Sequence, residues 1–497
     1  MKNYSRLEKT FQRLARLAHA ETFLSWDQQV MMPAGGAEGR AEALAELSTL
    51  RHEVLSAPEL GECFDLARNE ALNPDQSANL REMQRQWKQA ICLPADLVEA
   101  RSLAASRCEH DWRRQRADND WSGFLPRFEH LVSLVRQEAR ARLEASDASH
   151  KTPYDALLEL YAPGESNDFI AKVFSELKQQ LPELIQTITE NQKSHPRISL
   201  EGQYDLGAQQ QLSRQLMRIL GFDFNAGRLD VSTHPFSTGV KGDHRITTRY
   251  RGSDFVDALM ATVHETGHAS YESGLPADWT DQPLGQARSM SIHESQSLLF
   301  EKQLFLSKPF IQFLTPVLHQ HFPSLACHDW SALWHAMTEV KPDYIRVEAD
   351  EVTYPMHIVL RYEIESDLIN GQIEARDIPE LWNEKMQGYL GISTQGQYQK
   401  GCLQDIHWPS GAFGYFPTYT LGALNAAQLF HAVKRDLTDL DESLLSGDLV
   451  PLRQWLHSRI WSHGSRLSTP DLMRQATGET TSASYFLAHI RQRYLNA

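Results

Sequence analysis

The chain has 497 residues, 41% of them hydrophobic, which is enough for a large core and, by length, for one big helical body or two or three domains. A formal charge of −15, with no long block of Lys or Arg, excludes nucleic acid as the expected partner, because phosphate binding needs a basic face. No run approaches the roughly 18 apolar residues of a membrane span, and the start, Met1-Lys2-Asn3-Tyr4-Ser5-Arg6, lacks the apolar segment of a secretory signal. A cytoplasmic protein with no membrane partner is therefore expected. The five cysteines (Cys63, Cys92, Cys108, Cys327, Cys402) are scattered and odd in number, which suits a reducing compartment and argues against a cysteine metal site.

In chain order the pattern is overwhelmingly helical. Leu7, Phe11, Leu14 and Ala18 make one amphipathic stripe, and a second, Ala- and Leu-rich helix is predicted from Glu38 to Leu55 after the break at Pro33-Ala34-Gly35-Gly36. Long polar segments at 76–91, 95–117 and 124–145 sustain no strict heptad, so bundle packing is expected rather than a coiled coil. Helices follow at 167–194, interrupted near Pro182, and at 207–220. The one β signal, 228–239 and 243–250 around Gly239-Val240-Lys241-Gly242, reads as a small hairpin or edge sheet.

Next comes a helix carrying His264-Glu265-Thr266-Gly267-His268. Phe255, Val256, Leu259, Met260 and Val263 recur at helical spacing, Ser253 and Asp254 are N-cap candidates, and Gly274 followed by Pro276 is a stop signal. His264 and His268 are i and i+4, so both imidazoles leave one face and can meet one metal. Glu265 stands beside them as a proton acceptor. Predicted helices continue at 286–306, 310–320, 329–338, 356–369, 378–388, 423–435, 449–460 and 470–495. With no internal repeat and no shift in composition, a single mainly α-helical domain over 1–497 with a small β insert is expected, its site drawn from 225–420.

Two histidines leave zinc short of a third protein ligand, and a hydrolytic site keeps a fourth position open. Position 274, six after His268, is Gly, so the three-histidine version is out. Glu294 lies 26 residues after His268 on the next predicted helix, enough chain for a turn and a return. His264, His268 and Glu294 make a two-His, one-Glu set. His293 competes for the third place, but adjacent helix residues diverge by about 100°, so only one of the pair faces the metal. Glu294 is the choice. Co2+ or Mn2+ can replace Zn2+ on such ligands.

The chain resembles the carboxypeptidase Taq family of zinc metallocarboxypeptidases, of the gluzincin type. The resemblance rests on the His264–His268 pentad, His234-Pro235-Phe236, Asp243-His244-Arg245-Ile246-Thr247 and His293-Glu294-Ser295-Gln296. It extends to Ile345-Arg346-Val347-Glu348-Ala349-Asp350, Gly401-Cys402-Leu403-Gln404-Asp405-Ile406-His407-Trp408 and the early Trp26-Asp27 stretch. It implies an almost wholly helical fold with a deep groove, an N-terminal helical region (1–150) over the cleft, a β element near zinc and a homodimer. It also implies broad hydrolysis of C-terminal peptide bonds, with the Glu of the His-Glu-Ser-Gln block, Glu294 here, as third ligand.

The same resemblance implies roles for the remaining blocks. Glu265 is the general base, and His407, Tyr419 and His234 are the candidates to hold the oxyanion, the first two favoured because a His and a Tyr from downstream loops do so in similar helical zinc peptidases. A free C-terminal carboxylate calls for a guanidinium clamp, Arg346 first and Arg245 second. Asp243, Asp350 and Asp405 are expected to orient histidines or arginines, and Gln404 and Trp408 to shape substrate subsites or fix their loop. Two other readings stay open at this point: a zinc endopeptidase or oligopeptidase without the clamp, and a helical scaffold with an inert metal motif.

Overall fold

A computed structural model describes residues 2–146, 150–194 and 198–495. The architecture is mainly α-helical with one small sheet, as the pattern predicts. Two large apolar clusters form the body. The first packs helices Trp121–Ala145, Asn167–Asn191 and Tyr354–Ile369. The second gathers helix Val256–Gly274 (the motif helix), helix Met290–Leu298 (the glutamate helix) and helix Lys308–His321. Helix Pro417–Asp436, the central helix, feeds both: Leu421 and Leu424 go to the first cluster, Leu429 and Val433 to the second. No described helix is long and apolar enough to cross a membrane.

The N-terminal helix Lys2–Val30 buries Tyr4, Leu7, Phe11 and Leu14 against Leu60, Phe64, Leu80 and Met83, a third and smaller cluster. Ala18 of the predicted stripe is only half-buried. Helix Ala37–Leu55 buries none of its residues.

Four predictions are corrected. The expected hairpin is a three-stranded mixed sheet, β1 (Gly227–Val231), β2 (Phe236–Val240) and β3 (Asp243–Thr248), in the order β1-β3-β2, with β1 parallel and β2 antiparallel to β3. The predicted first strand is cut by the turn at 232–235, where Pro235 has no N–H for a ladder and Ser232 Oγ donates to the His234 carbonyl. Helix Asn167–Asn191 runs through Pro182, because Leu177, Leu181, Leu184, Ile185 and Ile188 are buried and outweigh the roughly 3 kcal/mol penalty of an internal proline. The last predicted helix splits into Thr469–Thr477 and Ala483–Tyr494 at Gly478, whose φ of 107° ends the first. The central helix begins six residues earlier than the predicted 423, with Pro417 in its first turn, so Tyr419 is helical rather than in a loop.

Candidate active site

The motif helix is fixed at its start by Asp254, whose Oδ1 accepts from the backbone N–H of Val256 at 2.8 Å. Its buried stripe is polar, and each hydroxyl is satisfied within the helix: Thr262, Thr266 and Ser270 donate to the carbonyls four residues back. Gly267 is required by packing, since a Cβ there would lie 2.7 Å from the Gln296 carbonyl oxygen and the Ser297 Cα. The backbone of the glutamate helix rests directly on the motif. Gly422 does the same from the other side, where a Cβ would meet Glu294 Cβ and Cγ at 2.7 Å.

This packing brings His264, His268 and Glu294 into one cluster. Nε2 of His264 is 3.9 Å and Nε2 of His268 3.5 Å from the same oxygen, Glu294 Oε2. Donors about 2.0–2.2 Å from one ion lie within about 4.4 Å of each other, so two imidazole nitrogens and a carboxylate oxygen at these separations fit a divalent metal. The electrostatics agree. Burial opposes charge on His264, but the carboxylates of Glu294 and Glu301 outweigh it and raise its pKa to about 9. His268, buried and beside His293, is lowered to about 4. Burial pushes Glu265 up to about 7, with His264 pulling the other way.

Three groups that the sequence reading did not assign stand behind these residues. Glu301 Oε2 is 2.8 Å from His264 Nδ1. It is held as a carboxylate, at about 2 despite burial, by Lys302 and His264. His293, weighed as a rival ligand, instead meets His268 Nδ1 at 2.7 Å, and its other nitrogen meets Glu272 Oε1 at 2.7 Å. Spacing carried a signal for two of them: Glu272 is one turn beyond His268, and Glu301 two turns beyond Glu294. The glutamate helix passes into a π-helical turn over Leu299–Phe305, and Glu301 lies in that turn.

A second cluster faces the first. Tyr354, Tyr415 and Tyr419 lie in the field of both Glu294 and one another, and Arg346 acts on Tyr354 and Tyr419. Tyr419 hydroxyl is 3.1 Å from His407 Nε2. Burial raises Tyr419 to about 12 and, with Arg346 close by, lowers His407 to about 4, so both are neutral at pH 7. Arg346 is buried, with Nε 2.9 Å from Asp405 Oδ1 and an Nη 3.1 Å from Tyr354 hydroxyl. Asp405 also binds Nε of fully buried Arg361 at 2.7 Å, making an Arg-Asp-Arg bridge.

The other predicted residues stand apart or are engaged by the backbone. Gln404 accepts from Arg346 N–H and donates to the carbonyls of Tyr344, Lys400 and Gly401, so its whole amide holds the loop. Trp408 Nε1 donates to buried Glu365. Arg245 closes on both oxygens of Asp243 and stacks over Phe23 and Trp26 of the N-terminal helix at 4.3 and 4.2 Å. His234 is exposed on the turn between β1 and β2. Asp350 orients backbone instead of a histidine or arginine, accepting from the N–H groups of Lys341, Val352 and Thr353.

Comparison with known proteins gives one answer. Residues 6–494 match the family described as carboxypeptidase Taq (M32) metallopeptidase. The chain is 37% identical to thermostable carboxypeptidase 1 of Thermus thermophilus over 494 residues, 97% of each chain. It is 34% identical to carboxypeptidase 1 of Bacillus subtilis, covering 98% of this chain and 97% of that one. The solved structure of Trypanosoma cruzi metallocarboxypeptidase 1 superposes with a TM-score of 0.97 at 41% identity, covering 99% of both chains. The chain thus belongs to the carboxypeptidase Taq family of metallopeptidases and is a metallocarboxypeptidase.

Proposed function

We propose that the metal is zinc, held by His264, His268 and Glu294, and that the enzyme removes C-terminal residues from peptides with a free α-carboxylate, with broad specificity. The observation that carries this is the approach of two Nε2 atoms to one oxygen of Glu294, with Glu265 adjacent on the same helix. A divalent ion on such ligands supplies Lewis acidity, acidifying water and polarising the scissile carbonyl. Glu265 takes the proton of the attacking water and delivers it to the leaving amine. Tyr419, kept protonated by burial and held in place by its contact with His407, donates to the oxyanion. His234, exposed on its turn, is the weaker candidate.

For the carboxylate, Arg346 has the better case than Arg245. Both its Nε and one Nη turn to a single oxygen of Asp405, leaving its other Nη directed at Tyr354 beside Tyr419. Arg245 presents its Nε edge to both oxygens of Asp243. Gln404 acts by holding Arg346 through the backbone. We further propose one domain over 1–497, since the central helix is shared by both large cores. A cytoplasmic homodimer is part of the same reading, the five unpaired thiols suiting a reducing compartment.

The test compares a peptide with its C-terminal amide, followed by mass, with zinc, with cobalt or manganese, and with a chelator. Stepwise C-terminal trimming of the free acid only, abolished by chelation and restored best by zinc, is expected. Equal cleavage of acid and amide overturns the clamp and indicates an endopeptidase.

A further inference from the structure

A histidine that coordinates a cation through Nε2 must carry its proton on Nδ1, and whatever accepts that proton selects the tautomer and aims the ring. The two histidines of the motif are backed in different ways. His264 Nδ1 meets a carboxylate directly, Glu301 Oε2 at 2.8 Å. His268 Nδ1 meets another imidazole, His293 Nδ1 at 2.7 Å, and a carboxylate enters only one step further out, at Glu272 Oε1, 2.7 Å from His293 Nε2.

The direction of this chain is fixed by its far end. Glu272 accepts and cannot donate as a carboxylate, so His293 Nε2 must carry a proton. In the neutral ring His293 Nδ1 is then a lone pair that can only accept, which places the proton on His268 Nδ1 and leaves His268 Nε2 bare, facing Glu294 Oε2 at 3.5 Å. In the opposite tautomer of His293, its Nε2 lone pair would face the carboxylate of Glu272 and His268 Nε2 would be protonated against the metal position. The rings of His268 and His293 lie 4.6 Å apart, and Tyr271 packs on the outer one at 5.6 Å. Neighbours in sequence thereby serve opposite ends of one ligand: Glu294 faces the Nε2 side of His268 and His293 its Nδ1 side.

We infer that His293 and Glu272 are positioning residues that set the tautomer and ring orientation of His268, a relay with no counterpart at His264. The inference rests on the reading of His264, His268 and Glu294 as metal ligands. It is tested on the full chain by chelator competition for Zn2+ and by proton NMR of the Co2+-loaded protein, where the Nδ1–H of each ligating histidine gives its own exchangeable, paramagnetically shifted signal. His293→Phe keeps the ring packing and removes both hydrogen bonds. Zinc affinity is expected to fall about 10- to 100-fold, with one of the two signals lost to rapid exchange and the other retained. Glu272→Leu is expected to behave similarly, and Glu272→Gln, whose amide oxygen still accepts, to recover most of the affinity and the signal. Both signals and unchanged affinity in His293→Phe overturn the relay alone, as do equal effects of Glu272→Leu and Glu272→Gln. A wild-type chain that binds no stoichiometric metal overturns the metal centre and the relay with it.

Discussion

A single methyl group tests whether the central helix positions Glu294 beside His264 and His268. In Gly422→Ala the new Cβ would lie 2.7 Å from Cβ and Cγ of Glu294 and 3.3 Å from its carbonyl carbon. Carbon atoms pack at about 3.5–4.0 Å, so roughly 1 Å must be found. Cβ and Cγ are the root of the side chain and cannot swing clear without carrying the carboxylate along. Either Glu294 rotates off His264 and His268 or the two helices part, and overpacking of this kind costs about 1–3 kcal/mol. The sign is diagnostic, because replacing a helical Gly by Ala in open space would stabilise by up to about 1 kcal/mol. The expected outcome is a destabilised protein by urea unfolding, with zinc affinity by chelator competition down at least tenfold and turnover down with it. Gly267→Ala presses the same helix from the motif side, at the Gln296 and Ser297 backbone, and should likewise lower stability and metal affinity together, because it parts the two helices that bring Glu294 to His264 and His268. A Gly422→Ala protein that is more stable than wild type and binds zinc within twofold of it would refute the reasoning.

Glu265→Gln should keep its zinc and lose most turnover, and substantial residual activity in a zinc-replete sample removes Glu265 from the proton-transfer role. Arg346→Ala should damage turnover of free-acid peptides far more than zinc content; an unchanged kcat/KM moves the clamp to Arg245 or elsewhere. Asp405→Asn leaves two guanidiniums buried without their counter-charge, Arg361 at 0% and Arg346 at 7% side-chain exposure, and should cost about 3–5 kcal/mol; a loss below about 1 kcal/mol counts against the bridge. Burial alone would raise the Asp405 carboxyl, but Arg346 and Arg361 hold it well below the usual carboxylate range. Its contribution is therefore complete above the unfolded value of about 3.9 and is lost as pH falls through the depressed folded value. Wild type should show this acid-side slope in unfolding free energy, and Asp405→Asn should lack that part of it.

What could be read from sequence was what is local. The motif pair follows from helical phase alone, since i and i+4 share a face whatever surrounds them. The roughly 100° divergence of adjacent residues says only that one of His293 and Glu294 can face the metal; the choice of Glu294 comes from the chemistry of a two-His, one-Glu set and from the family resemblance. The use made of His293 was not legible, because it depends on how the glutamate helix crosses the motif helix: close enough, over Gly267, that the two neighbouring side chains reach opposite ends of one imidazole. Nothing in the periodicity of either helix encodes that crossing. The sheet was misread for a related reason. The composition of 228–250 signals strand, but a parallel β1-β3 pairing is a choice of partner across the turn at Pro235.

Tyr419 shows where local rules mislead. Gly414-Tyr415-Phe416-Pro417 and Gly422 read together as a Gly/Pro-rich aromatic loop. In the fold, Pro417 opens a helix and Gly422 is a point of close approach inside it, so the glycine that suggested a loop is there because Glu294 needs the space. Two turns of that helix carry Tyr419, whose hydroxyl meets His407, and Gly422, which bounds Glu294. The metal site and the tyrosine cluster are thus set at a fixed separation by one rigid element. The same helix sends Leu421 and Leu424 into one core and Leu429 and Val433 into the other, so this separation is held by both. A perturbation that shifts the helix axis must therefore move metal affinity and the placement of Tyr419 together, whereas one confined to the Asp405 bridge should act on Arg346 and leave His264, His268 and Glu294 in place.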